Sequence, residues 1–434
     1  MVHMMIPTMP LPRQPIPKMA LVRRHFADDH IPDIRRETCA RLLAAGFKAE
    51  PGHRIGITAG SRDMGGFVDL LRGIADAIRT FRAEPILLPS MGSHGRATAE
   101  GQTEVLRLLG VTEESIEAKL IATMATIELG ESTTGAVAHL DEAASTLDGI
   151  IVLGWTKAHP ESTEGIASGL LKMTAVGLGN QPGARQIHSH GLWESVRAVP
   201  RVTLAKAKIL FGVAVVENAY RKPVIIEVVP ATYEAFLEAD QRLLKESHRF
   251  FATLPFDHLD VLVIDRFGKN IAGTGMHPSV VGRWRFGASG ERKPDIRRIV
   301  PLSLTPESLG NGIGIGCADF TTQRFANEYD SWATYINVVT ASEPGGMNTR
   351  EGPMPLALPS DRDAIEVALA SSLAGDQARI CRIESTAHLE QFWASEALLA
   401  ELQGRSDIEV LQPPSHLPFN EGGDLSISSV ESRT

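Results

Sequence analysis

Cysteine is scarce in this 434-residue chain: Cys39, Cys317 and Cys381 are odd in number and far apart. That argues against a disulfide framework or a structural zinc cluster and fits a reducing cytoplasm. No apolar run approaches the roughly 18 residues that a membrane-spanning helix needs. Met1 to Lys18 is rich in Met and Pro and reads as an irregular arm, not as a charged-then-apolar leader. Long basic runs are missing and the net charge is −9, which argues against nucleic acid and anionic membrane as main partners. Walker spacing, a complete dinucleotide fingerprint and internal repeats are also missing.

What is present is an ordinary globular composition, 43% hydrophobic and 22% charged, in a chain long enough for two domains. Strand-like and helix-like segments alternate, the pattern of an α/β protein with mostly parallel sheets. Strands are expected at Arg54 to Thr58, Glu84 to Pro89 and Asp148 to Gly154, the last a continuous apolar run suited to burial on both faces. Two more, Ile209 to Val216 and Pro223 to Val229, suit a hairpin, and a long helix spans Ala231 to Phe251. The strand–loop–helix rhythm restarts at His258. The reading is therefore an N-terminal α/β domain over 1–253 and a C-terminal α/β domain over 254–388. A helix from Leu389 to Leu402 and a partly mobile tail make up 389–434.

In open α/β sheets ligands bind where loops leave the carboxyl ends of strands. Arg62, His94 and His159 each follow an expected strand end. Imidazole can take or give a proton near neutral pH, although a lone loop histidine is more often bonded to backbone. Pro160 forces His159 out of helical geometry. Arg62 suits a bidentate clamp on a carboxylate, with a surface ion pair as the plain alternative. Lys172 sits among Leu170, Leu171 and Met173, an enclosed setting that favours a reactive amine. Beyond it Gly177 and Gly179 allow close backbone approach, and His188 and His190 lie on an expected helix, where residues two apart diverge. Imidazole is a ligand for nickel, copper or zinc. In the second half Lys269 lies in a Gly-rich turn after a strand.

Taken together, Gly92-Ser93-His94, the segment around His159, and Lys172 with His188 resemble the nickel-pincer lactate racemase family of 2-hydroxyacid racemases. The resemblance extends from about Arg54 to the last expected helix. It implies two α/β domains with the active site in the cleft between them. It also implies a nickel-pincer nucleotide (a pyridinium bisthiocarboxylate mononucleotide) joined covalently to Lys172, and His188 as the nickel ligand. His94 and His159 become the acid/base pair, and Arg62 and Lys269 the substrate-binding residues. Cofactor maturation enzymes would be partners.

The chain departs from the family at Ala59-Gly60-Ser61-Arg62-Asp63, where the family reads acid-x-Thr-Arg-Pro. It departs again at Gly95 after His94, and at Glu161 and Glu164 in a longer, more acidic stretch. The expected substrate is therefore a 2-hydroxy acid other than lactate. Two further readings stay open: a zinc-dependent hydrolase or dehydratase using His188 and His190, and a non-catalytic sugar-acid or nucleotide binding protein.

Overall fold

The computed structural model describes residues 11–157, 165–283, 293–344, 346 and 348–426. The chain enters through strand β1 (Met19–Arg24), then β2 (Arg54–Ala59), β3 (Glu84–Pro89) and the short β4 (Lys119–Leu120). A separate hairpin, β5 (Thr126–Glu131) with β6 (Val137–Asp141), precedes β7 (Gly149–Trp155), β8 (Ile209–Glu217) and β9 (Pro223–Pro230). The later half supplies β10 (His258–Phe267), β11 (Asp295–Leu304), β12 (Phe320–Thr322), β13 (Leu356–Leu358), β14 (Ile380–Ser385), β15 (His388–Ser395) and β16 (Ile408–Ser415).

The protein is mixed α/β, built on two six-stranded sheets. The first has the order β4-β3-β2-β7-β8-β9; its pairings are parallel except for the β8–β9 hairpin. Period-two alternation divides its side chains between two apolar layers. Ile151, Leu153, Val213 and Val215 face one core, and Ile150, Val152, Ala214 and Val216 face the other. A sheet buried on both faces has no solvated edge face for a ligand, which leaves the carboxyl-end loops as the binding place.

The second sheet has the order β11-β10-β14-β15-β1-β16. β10 pairs in parallel with β11 and β14, and the remaining pairings are antiparallel. Its alternation repeats the first sheet's, with Leu262 and Ile264 on one side and Val261 and Val263 on the other.

Two sequence expectations are corrected here. The segment from Leu389 is not one helix to Leu402: His388–Ser395 is strand β15, and the helix is only Glu396–Leu402. Pairing with both β14 and β1 overrides the helical propensity of those residues. The residues before 253 are also not confined to the first sheet, because β1 lies between β15 and β16 in the second. No described helix is long and apolar enough to cross a membrane.

Candidate active site

A cavity of about 240 Å³ lies between the two halves, with Arg62, His94, Lys172 and His188 from the first and Lys269, Ile313 and Asn337 from the second among its lining. Its described lining contains no Asp or Glu. Each basic group is placed by a turn or helix with a local physical reason.

Ser61 and Arg62 follow β2 after Gly60. Asp63 N–H donates to Asn270 O across the cleft (3.2 Å), and Asp63 accepts from Arg221 Nη1 at 2.8 Å. Gly65 N–H donates to Glu217 Oε1. The loop that carries Arg62 is thereby fastened on both sides.

His94 follows β3 in a tight turn. Gly95 has φ +62°, and a Cβ there would come within 2.4 Å of Gln102 N. This explains why glycine, not a larger residue, follows the histidine. Arg96 and Ala97 also have positive φ, 57° and 53°, so the turn holds backbone strain beside the site. Gln102 Nε2 donates to Gly92 O (2.9 Å), tying the turn to the helix Ala99–Leu108.

Lys172 ends the short helical segment Leu170–Lys172. The buried carboxylate of Asp240 accepts from Leu170 N and Leu171 N, both at 2.9 Å, satisfying two of the amides that a helix start leaves unpaired. The Lys172 ammonium lies 5.2 Å from the centre of the Trp193 ring. His188 rides on the helix Asn180–Ser189, and its Nδ1 is 3.3 Å from Glu343 Oε1 on the other side of the cleft. Lys269 follows β10 and is buried; its Nζ donates to Gly273 O at 2.7 Å.

Electrostatically the cavity is a trap for anions. Burial brings the Arg62 guanidinium down to about 10, which still leaves it charged at neutral pH. His94 is held well below the ordinary histidine value, first by burial and then by the positive charges of Lys269, Arg62 and Lys172. It is therefore a neutral imidazole. Ser61 Oγ lies 2.5 Å from His94 Nδ1, and Arg62 Nη1 lies 2.9 Å from Ser61 Oγ and 3.3 Å from the same Nδ1.

The cavity thus brings together Arg62, His94, Lys172, Gly177, His188 and Lys269. His159 lies outside the described residues. Gly179 is not in the lining: it precedes the helix Asn180–Ser189, and a Cβ there would meet Ala175 O and Gly183 Cα at 3.0 Å. It serves packing. His190 is exposed, with Nδ1 2.9 Å from Gln186 O, and does not converge with His188. Among the described residues no three His, Cys, Asp or Glu side chains group to hold a metal. Sequence reasoning missed Ser61, Asn337 and Glu343. Ser61 adjoins Arg62 and was open to notice, whereas Asn337 and Glu343 join the site only through the packing of the two halves.

No family model matches the chain, and no curated protein matches it. Among solved structures it is similar to a protein from Thermotoga maritima, at 11% identity over 77% of this chain and 88% of that one, TM-score 0.47. It is also similar to the lactate racemase apoprotein from Thermoanaerobacterium thermosaccharolyticum, at 12% identity over 86% of this chain and 99% of that one, TM-score 0.46. Both likenesses are too distant to bear on chemistry.

Proposed function

We propose that this chain is an isomerase that inverts the C2 centre of a 2-hydroxy acid other than lactate, working with a nickel-pincer nucleotide. The observation that carries the reading is the convergence of a neutral histidine and three cationic side chains in one cavity between the two halves, with no carboxylate in its described lining.

The residues fit such a cofactor. Lys172 supplies an amine for covalent attachment, and His188 can offer one imidazole nitrogen while its Nδ1 faces Glu343. That no three His, Cys, Asp or Glu side chains group as ligands among the described residues suits a metal whose other ligands belong to a cofactor. Gly177 keeps the wall low: a Cβ there would sit 2.3 Å from Met173 Sδ and 2.9 Å from Ser90 O. When bound, the cofactor would supply an electrophilic centre for the C2 hydrogen, which is far too weakly acidic for a simple base.

The protein's own residues do the rest. Arg62 takes the substrate carboxylate in a charge-assisted, two-pronged contact that fixes C2. Lys269 adds positive charge from the second half of the chain. His94, neutral before substrate arrives, accepts the proton of the C2 hydroxyl and returns it. His159 is proposed as the matching base for the opposite enantiomer. Met64, Phe67 and Trp155 give the cavity apolar walls that exclude water from the reacting carbon.

The test is chiral chromatography of enantiopure 2-hydroxy acids incubated with cofactor-loaded protein. At least one pair should interconvert, and His94→Ala should lower the rate about 10²–10⁴-fold. Equal activity of His94→Ala and the parent, or no interconversion by loaded protein across C3 to C6 acids, would refute the reading.

A further inference from the structure

We propose that the Ser61 hydroxyl carries the proton between the substrate's C2 hydroxyl and His94 Nδ1. The proposal rests on the functional reading above for the source of the proton, and on geometry for its path.

His94 Nδ1 has two close neighbours, Ser61 Oγ at 2.5 Å and Arg62 Nη1 at 3.3 Å. A guanidinium has no acceptor lone pair, so Arg62 can only donate. Nδ1 must then be the acceptor nitrogen, and in a neutral imidazole the ring proton sits on Nε2. Ser61 Oγ in turn receives Arg62 Nη1 at 2.9 Å, so its own hydrogen is directed to Nδ1. The basic nitrogen of His94 is therefore covered by protein donors. A substrate hydroxyl reaches it through Ser61, or not without breaking the pair.

Ser61 is 8% exposed and lines the cavity, so its oxygen is available to the ligand on one side and to the imidazole on the other. The transfer balances without any other reactant. The substrate O–H bond breaks as a new Ser61 O–H bond forms, and the old Ser61 O–H bond breaks as Nδ1–H forms. The products are a substrate alkoxide and an imidazolium. Arg62, within reach of Ser61 Oγ, stabilises the negative charge as it crosses. The return of the proton runs the same path backwards.

Two readouts decide it. The first is nitrogen NMR of ¹⁵N-histidine-labelled, ligand-free protein, with the His94 signal assigned by its loss in His94→Gln. The expected result is an unprotonated acceptor Nδ1 and a protonated Nε2; a proton on Nδ1 would overturn the proposal, because Ser61 could not then donate to it. The second is kinetics of loaded protein. Ser61→Ala should lower kcat about 10²-fold or more with KM within about threefold, and Ser61→Thr, which keeps the hydroxyl, should recover to within about tenfold of the parent. Full kcat in Ser61→Ala would overturn the relay while leaving the racemase reading intact. Parent protein that interconverts no 2-hydroxy acid would overturn the reading and, with it, the proton's source.

Discussion

In the proposed reaction His94 accepts a proton while standing among three cations, and the arrangement has a measurable consequence. Burial first, then Lys269, Arg62 and Lys172, hold His94 neutral well below its ordinary titration range. An anionic substrate offsets part of that positive charge, so the base should strengthen on binding. The acid limb of kcat should therefore lie at higher pH than the acid limb of kcat/KM, since the first reports the complex and the second the free enzyme. Coincident limbs would contradict this account. Stability carries the same sign. The unfolded chain protonates His94 near its ordinary value of about 6.5, whereas the folded chain resists until lower pH. His94's contribution is thus complete above about 6.5 and is lost as pH falls toward the folded-state value. In His94→Gln the denaturation midpoint should fall less between pH 7 and 5 than in the parent, measured by urea titration at each pH.

At the scale of elements, the site depends on turns fastened by buried polar groups. Asp240 is the strongest case: burial raises its carboxyl to about 7 even though Leu171 N–H and Leu170 N–H favour the charged form. Asp240→Asn would set an amide N–H₂ against one of those two backbone donors. The expected loss is about 1–3 kcal/mol of stability at pH 8, read by urea denaturation, together with slower amine labelling or altered labelling pH dependence at Lys172. Gly177→Ala would displace the Met173 side chain and press on the backbone oxygen of Ser90. It should cost about 1–3 kcal/mol by overpacking, checked by thermal unfolding. These devices explain what the sequence could disclose. Arg62 and His94 were legible because strand ends are local features and the strands are strongly apolar. That Gly179 falls outside the cavity lining was not legible, because a glycine that lets backbone approach a ligand and one that lets two helical turns pack look alike in one dimension. The β15 segment was misread because its strand form comes from neighbours β14 and β1, the latter more than three hundred residues away in sequence.

Across the whole molecule, the cavity is completed by polar contacts between the halves. Asn337 on the helix Ser331–Thr340 donates to Ser93 Oγ (3.0 Å) and accepts from Asn311 Nδ2 (3.1 Å). Gln181 Nε2 donates to Thr340 Oγ1 (3.1 Å), and Arg96 pairs with Asp330. Sequence pattern alone cannot pair residues some 240 positions apart, so this seam appeared only with the fold. Asn337→Leu removes the bond to Ser93 across the seam and the bond from Asn311 within the second half, and strands both buried partners, at a cost of about 1–3 kcal/mol. Hydrogen exchange over Ser331–Thr340 should accelerate relative to β7, which should stay protected. Unchanged exchange would show that the seam is held elsewhere.

The central claim is that this cavity holds a covalent, metal-bearing cofactor at Lys172 and His188. The most direct measurement is intact mass with peptide mapping, alongside nickel analysis, on protein co-expressed with the cofactor-making enzymes. The account predicts added mass on the peptide containing Lys172, nickel equimolar with the chain, and loss of both in Lys172→Ala. An unmodified Lys172 in metal-free parent protein made under those conditions would contradict it.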